Sequence, residues 1–386
     1  MPDDRPYDIV LFGATGFTGA LTAQYLARNA APDCRWALAG RNRTKLEALR
    51  ERIGLPELPL LHADVTDPAS LARIAGQARV VATTVGPYIS YGEPLVAACA
   101  AAGTHYADIT GEPEFVDLMF TRHHERAERT GAKIVHACGF DSVPHDLGAY
   151  FTVGLLPEGV PIEVDGFVRA DGRPSGGTVS SALMAIARSR QTARAAHARR
   201  EAEARPADRR VRARAGSPRY VGGWALPLPT IDPQIVARSA RALARYGPDF
   251  TYRHHFAVKR LPAVLGLVAG VGVVAVLAQI PPARSWLLGR ISPGDGPTPE
   301  QRAGSWFKVT FLGRGGGRRV VTEVAGGDPG YDETAKMLAE SALCLAFDDL
   351  PPVSGQLTPA AAMGGALIER LGRAGITFTV LSDSPK

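Results

Sequence analysis

Apolar residues in the first 150 positions come in short unbroken runs separated by stretches of helical period. The run 8–12, Asp-Ile-Val-Leu-Phe, is followed by Leu21, Tyr25 and Leu26 spaced along one side of a helix. The same alternation repeats. Strands are predicted at 36–40, 58–63, 78–85, 105–109 and 133–137, and helices at 45–52, 71–76, 95–102 and 114–130. Strands that are apolar on both faces and joined by helices form a parallel sheet covered on two sides.

From residue 160 the texture changes. Residues 162–169 alternate like a half-buried strand, and 306–312 with 319–325 read as an antiparallel pair around the glycine-rich turn 313–317. A helix over 332–347 carries its apolar side on Ala335, Leu338, Ala339, Ala342, Leu343 and Ala346. The expected fold is α/β: a Rossmann-type doubly wound parallel sheet over 1–150, then a second α+β domain over 151–330 with a mostly antiparallel sheet. Residues 331–386 are expected to return as helices to the first domain.

The first strand breaks directly into Gly13-Ala14-Thr15-Gly16-Phe17-Thr18-Gly19. Strand, glycine turn and helix together carry a pyrophosphate on backbone N–H groups at a helix N-terminus. The second strand ends at Gly40-Arg41-Asn42-Arg43-Thr44-Lys45, where an NAD-binding chain usually carries an acid for the ribose 2′-hydroxyl. A guanidinium here fits a 2′-phosphate, so NADP(H) is the expected cofactor. Arg41 makes the contact, and Arg43 or Lys45 adds positive field. Asp64-Val65, after the third strand, falls where such folds line the adenine. Ligands of open α/β sheets lie beyond the carboxyl ends of the strands, so 13–19, 84–91 and 138–146 converge on one crevice. Thr84, Gly86 and Pro87 are expected beside the cofactor.

Composition narrows the field. The chain has 386 residues, a formal charge of +6 and four well-separated cysteines with no metal spacing among them. These cysteines read as buried apolar groups in a reducing cytosol, and a first strand starting near residue 8 leaves no room for a signal peptide. The adjacent histidines His123-His124 and His254-His255 have no carboxylate or cysteine partner at ligand spacing, so no metal is expected. His136 and His145 read as buried or loop histidines. Asp141-Ser142 suits the cap of a following helix, with orientation of ribose or carboxamide as the second role.

Two segments are unusual. Residues 188–214 hold ten arginines against three acids, which suits either a solvated face or a dock for an acidic carrier protein or lipid surface. Nucleic acid is not expected, because no aromatic residues interleave the arginines. Residues 261–280 contain fifteen Ala, Val, Ile or Leu and three Gly. That segment reads as an inserted hairpin, a membrane contact, the wall of an acyl tunnel or a wholly buried helix.

The segments GATGFTG (13–19), LAGRNRTKL (38–46), VGPYISYGEPLV (85–96), YADITGE (106–112) and CGFDSVPHDLG (138–148) resemble the saccharopine dehydrogenase-like NADP-binding superfamily. SGGTVSSAL (175–183), GGDPGYDETAKMLAESALCLA (326–346) and LTPAAAMGGALIERLGRAGITF (357–378) resemble its trans-acting enoyl reductase branch. The resemblance implies hydride transfer from NADPH to the β-carbon of a lipidic enoyl thioester, with a proton to the α-carbon. Tyr88 and Tyr91 are the candidates for the proton or the oxyanion contact. The implied setting is cytoplasmic and peripheral to the inner membrane face, with an acyl carrier protein as a possible partner and an oligomer allowed. Two alternatives stay open: an amino-acid imine dehydrogenase, and a non-catalytic NADPH-binding protein on lipid surfaces.

Overall fold

The computed structural model describes residues 5–171, 184, 187–204, 208–214, 224–228, 230–258, 277, 282 and 296–385. Two sheets organise it. The first is wholly parallel, in the order β13-β6-β5-β4-β1-β2-β3. Its strands are β1 (Tyr7–Phe12), β2 (Trp36–Gly40), β3 (Leu60–His62), β4 (Ala78–Thr83), β5 (His105–Asp108), β6 (Lys133–Val135) and β13 (Gly355–Leu357).

Successive side chains of a strand point to opposite faces, and β1 shows what that does here. Ile9 and Leu11 join a core with Ala23 and Leu26 of α1 (Phe17–Asn29), while Val10 and Phe12 join a separate core on the other face. That second core holds Leu71 and Ile74 of α3 (Pro68–Gln77), Leu95 and Val96 of α5 (Glu93–Ala102), and Phe115 and Met119 of α6 (Pro113–Thr130). All four β1 side chains are buried, at about 1.5–3 kcal/mol each, so the strand cannot slip register without exposing them. The sheet is therefore doubly wound, as the apolar runs predict.

Local sequence sets the helix starts that matter for the site. Asn42 caps α2 (Arg43–Arg52), its Oδ1 accepting from Lys45 N–H at 2.9 Å. Asp67 caps α3 and is followed by Pro68 in the first turn, where a missing N–H costs nothing.

The second sheet runs β14-β12-β11-β7-β10-β8, with β9 also on β10. It is built from β7 (Ile162–Asp171), β8 (Arg210–Arg214), β9 (Trp224–Pro227), β10 (Asp249–Val258), β11 (Trp306–Gly315), β12 (Arg318–Gly326) and β14 (Thr377–Pro385). Four of its pairings are antiparallel and two, β10 with β7 and β10 with β8, are parallel. Helix α7 (Val143–Gly154) lies between the two sheets and joins the main core with Val143, Leu147 and Val153.

The C-terminal stretch divides. Helix Asp332–Phe347 packs on α1 and β4, and β13 adds to the edge of the first sheet beside β6. β14, by contrast, pairs with β12 in the second sheet, so 331–386 does not belong wholly to the first. The expected segments 175–183 and 261–280 lie outside the described residues, apart from Leu277, and nothing follows here for either.

Helix Ser189–Ala202 carries the arginine-rich run and is docked on α6. Arg188 forks onto Glu114 at 2.7 and 2.8 Å, and the Arg199 guanidinium lies 2.6 Å from Asp117 and also reaches Glu203. Arg199 is buried. Part of the basic run is thus internal charge balance, while Arg190, Arg194, Arg210 and Arg214 face outward.

Candidate functional site

The crevice is lined by the loops that leave the carboxyl ends of β1, β2, β4 and β6. After Phe12 the chain turns at Gly13, whose φ of 87° favours glycine. Gly13 N–H donates to Ala39 O at 3.1 Å, and the Thr84 hydroxyl donates to Gly13 O at 3.1 Å, which ties the turn to both neighbouring strands. A Cβ on Gly19 would stand 2.3 Å from Gly13 O, so α1 needs a glycine there to sit against the turn.

Gly16 is different. Its φ is −74°, its nearest neighbour to a built Cβ is Gly13 O at 3.5 Å, and it is exposed. Neither backbone conformation nor the protein's own packing requires a glycine at this position. Gly16 is also the N-cap of α1 and supplies no side-chain cap, and the first turn carries no acid. The N–H groups of that turn are left for an outside acceptor, and the missing side chain leaves the approach open. These residues fit a dinucleotide pyrophosphate.

Ala14 is buried in the main core and Thr15 is exposed at the turn. The Phe17 ring points away from the loop, stacking edge-on to Tyr331 at 4.8 Å with the Arg302 guanidinium 5.5 Å above it. Any part that Phe17 plays toward a phosphate is therefore through its backbone, and Thr18 follows it in the first turn of α1. Gly40 ends β2, and Arg41 follows, exposed and without a hydrogen bond or ion pair among the described residues. Arg43 pairs with Glu47 at 3.0 Å, and Asn42 spends its side chain on the α2 cap. Arg41 is thus the uncommitted guanidinium at the tip of β2, and its charge helps hold the nearby Asp64 carboxyl below its ordinary range. The larger cause of that lowering is hydrogen bonding from Thr66, which fixes Asp64 at 2.8–2.9 Å. Val65, half-buried, packs against the second core.

On the β4 side, Gly86 and Pro87 are exposed, with a cis peptide between them, and lead into the short helix α4 (Tyr88–Tyr91). The Glu112 carboxylate accepts from the N–H groups of Tyr88 and Ile89 at 2.9 and 2.8 Å and so fixes the start of α4. The two tyrosines then diverge. The Tyr88 ring is buried; its hydroxyl donates to Thr83 O at 3.0 Å and accepts from Ile109 N–H at 3.3 Å, bracing the ends of β4 and β5. Burial pushes its phenol well above its ordinary value, and the Asp108 charge adds to that. The structure thus corrects the expectation that the Tyr88 hydroxyl faces the crevice. Tyr91 is 45% exposed and its hydroxyl makes no hydrogen bond among the described residues.

On the β6 side, Asp141 and Ser142 do not cap α7. Ser142 stands at the N-cap position, but its hydroxyl donates to Asp141 O and makes no capping bond. The Asp141 carboxyl lies against Gly111, where a Cβ would meet its Oδ2 at 2.7 Å. Burial, reinforced by the charge of Asp232 and opposed by that of His145, raises this carboxyl to about 6.

Beneath the crevice, buried Asp108 accepts from Tyr106 at 2.9 Å, Ala137 N–H at 2.9 Å and Thr110 N–H at 3.1 Å. Its Oδ2 also sits 2.7 Å from His136 Nδ1. His136 is a core histidine, as expected. His145, buried, meets Asp232 and His254 from the second half of the chain. Residues 87 and 22 positions apart carry no common local signal, so the sequence reading of His254 as lacking a carboxylate neighbour is corrected here. Glu112 escaped the sequence reading for the same reason. The four cysteines are free and buried.

Comparison with known proteins is consistent with this geometry. Residues 9–135 match the family described as the saccharopine dehydrogenase NADP binding domain, and the cofactor is NADP(H). A candidate trans-acting enoyl reductase of Mycobacterium tuberculosis is 40% identical over 411 residues, covering 97% of each chain. The trans-acting enoyl reductase of Mycobacterium leprae is 38% identical over 414 residues, covering 98% of each. Among solved structures, the apo saccharopine dehydrogenase (L-Glu forming) of Saccharomyces cerevisiae shares the fold at a TM-score of 0.56 and 13% identity. That match covers 97% of this chain and 100% of the yeast one.

Proposed function

The chain belongs to the trans-acting enoyl reductase family, and on that basis we propose that it reduces the carbon–carbon double bond of a lipidic enoyl thioester with NADPH. The observation that carries the cofactor half of this reading is Gly16: an exposed glycine that the protein needs for neither conformation nor packing, at an uncapped helix start. The C=C half rests on the full-length relation to the two mycobacterial proteins.

When bound, NADPH supplies the hydride that adds to the β-carbon. The chain's own residues have three tasks. The first-turn N–H groups of α1 and the Arg41 guanidinium hold the two phosphate positions, with Asp64 and Val65 at the adenine. Thr84, Gly86 and Pro87 shape the side of the crevice next to the reacting ring. A proton must reach the α-carbon as the enolate collapses, and Tyr91 is the tyrosine with a free, exposed hydroxyl to give it.

A lipidic acyl group is supported by the apolar run 261–280, and an acidic carrier or anionic inner membrane face by the outward arginines of 188–214. Oligomerisation is compatible with this reading but plays no part in it.

NADPH oxidation followed at 340 nm with an enoyl thioester, with a saccharopine-type imine and without substrate tests the reading. Oxidation is expected with the enoyl thioester alone. Turnover of the imine alone reassigns the chemistry, and no turnover of any kind leaves a binding protein. Tyr91→Phe should lower kcat at least tenfold with cofactor affinity unchanged. Full activity in that variant moves the proton donor elsewhere, with Asp141→Asn the next variant to make.

A further inference from the structure

One buried cluster has no part in the hydride chemistry described above. His145 is the third residue of α7, Asp232 the first of helix Asp232–Ala242, and His254 lies in β10. All three are at most 3% exposed. His145 Nδ1 lies 3.1 Å from Asp232 Oδ1, and His254 Nε2 lies 3.4 Å from Asp232 Oδ2. One donor atom from each residue falls within 4.8 Å of the other two.

We propose that His145, Asp232 and His254 form a divalent transition-metal site of the zinc class, binding one ion between α7 and the second sheet. Four features carry this. Two imidazoles and a carboxylate are a donor set for Zn²⁺ and its first-row neighbours. Each imidazole nitrogen faces its own oxygen of Asp232, at 3.1 and 3.4 Å, close to the spacing of about 3.3 Å between neighbouring ligand atoms around an ion bound at about 2.0–2.1 Å.

The third feature is the orientation of the donors. An ordinary imidazolium–carboxylate pair would aim an N–H at an oxygen lone pair. Here His145 Nδ1, His254 Nε2 and Asp232 Oδ1 are all buried, and despite the short separations none has a hydrogen bond of good angular geometry among the described residues. A cation held among these three buried donors would satisfy them together.

The fourth feature is the outer shell. The Tyr252 hydroxyl lies 3.0 Å from His254 Nδ1, so an Nδ1–H donated there leaves the Nε2 lone pair facing Asp232. The Thr230 hydroxyl donates to Asp232 Oδ2. Three protein ligands leave a fourth position for solvent. The ion would tie α7 of the first half to β10 and helix Asp232–Ala242 of the second, which makes it a structural clamp independent of the reductase reading.

The test uses the full-length protein, purified without nickel resin, then desalted after exposure to Zn²⁺ or Co²⁺. Elemental analysis should find about one equivalent per chain, and Co²⁺ should give the visible bands of a four-coordinate ion. The melting midpoint should rise with Zn²⁺ and fall with a chelator. Asp232→Asn should abolish stoichiometric uptake. Tyr252→Phe, which keeps the ring, should weaken uptake about ten- to a hundredfold, and His197→Gln on the exposed helix face should change nothing. Wild-type protein that retains no ion after desalting and shows only aquo-cobalt bands overturns the proposal, as does full occupancy in Asp232→Asn. Because the wild-type measurement and Tyr252→Phe stand alone, failure of Asp232→Asn to fold does not shelter the idea.

Discussion

Gly16 and Gly19 look alike in sequence and differ in what they answer to. Gly19→Ala drives a methyl into Gly13 O and should lower stability by about 1–3 kcal/mol. Gly16→Ala should leave the urea midpoint within about 0.5 kcal/mol of wild type while raising the NADPH Kd about tenfold or more, because its methyl would occupy the phosphate approach. Arg41→Ala should cost roughly ten- to a hundredfold in NADPH affinity, since a charge-assisted bond contributes about 1.5–3 kcal/mol, and should leave NADH binding almost untouched. Fluorescence titration with both cofactors reads all of these; equal losses for NADPH and NADH in Arg41→Ala remove the 2′-phosphate assignment. The glycine spacing and the basic tip of β2 were legible because phosphate sites are built from consecutive residues. Tyr88 was not, since the direction of its ring depends on where Glu112 fixes α4 and where the ends of β4 and β5 stop. The crowding of His145, Asp232 and His254 was hidden by sequence distance.

Elements with a clean apolar period were readable, and those without one were not. β1, β2 and helix Asp332–Phe347 lie where their apolar patterns put them. β8, whose sequence is RVRAR, and helix Asp232–Ala242, which buries Asp232, Arg238 and Ser239 beside Ile235 and Val236, give no such pattern. The arginine-rich helix is the instructive case. Arg199, Asp117, Glu203 and Arg238 form a buried or nearly buried set joining α6, helix Ser189–Ala202 and helix Asp232–Ala242, and Arg238 also donates to Gln356 O of β13 at 3.3 Å. Removing one member leaves a buried charge uncompensated, so Arg199→Ala should cost about 3–5 kcal/mol. Arg190→Ala and Arg194→Ala, on the exposed face of the same helix, should stay within about 0.5 kcal/mol. Urea denaturation of the three variants separates the helix into its structural and its free arginines; equal, small effects would mean that Arg199 does not pin the helix.

At the scale of the molecule, the net charge is +6, the outward arginines Arg190, Arg194, Arg210 and Arg214 have no ion pair among the described residues, and no helix among those residues is long and apolar enough to cross a membrane. If the free arginines serve an anionic surface, each contributes about 1 kcal/mol and is screened within a Debye length. Flotation with anionic vesicles should then be strong at low salt and weak at high salt, and should fail with neutral lipid. No flotation in any of the three leaves the arginines to a carrier protein or to solvent. β13 reaches the first sheet from residue 355, more than 200 positions after its neighbour β6, and β14 closes the second sheet with Thr377–Pro385. A chain emerging from the ribosome therefore carries two sheets with unfinished edges until residues 355–385 are free. Both halves finish together, and a protein lacking residues 355–385 loses a border strand from each at once.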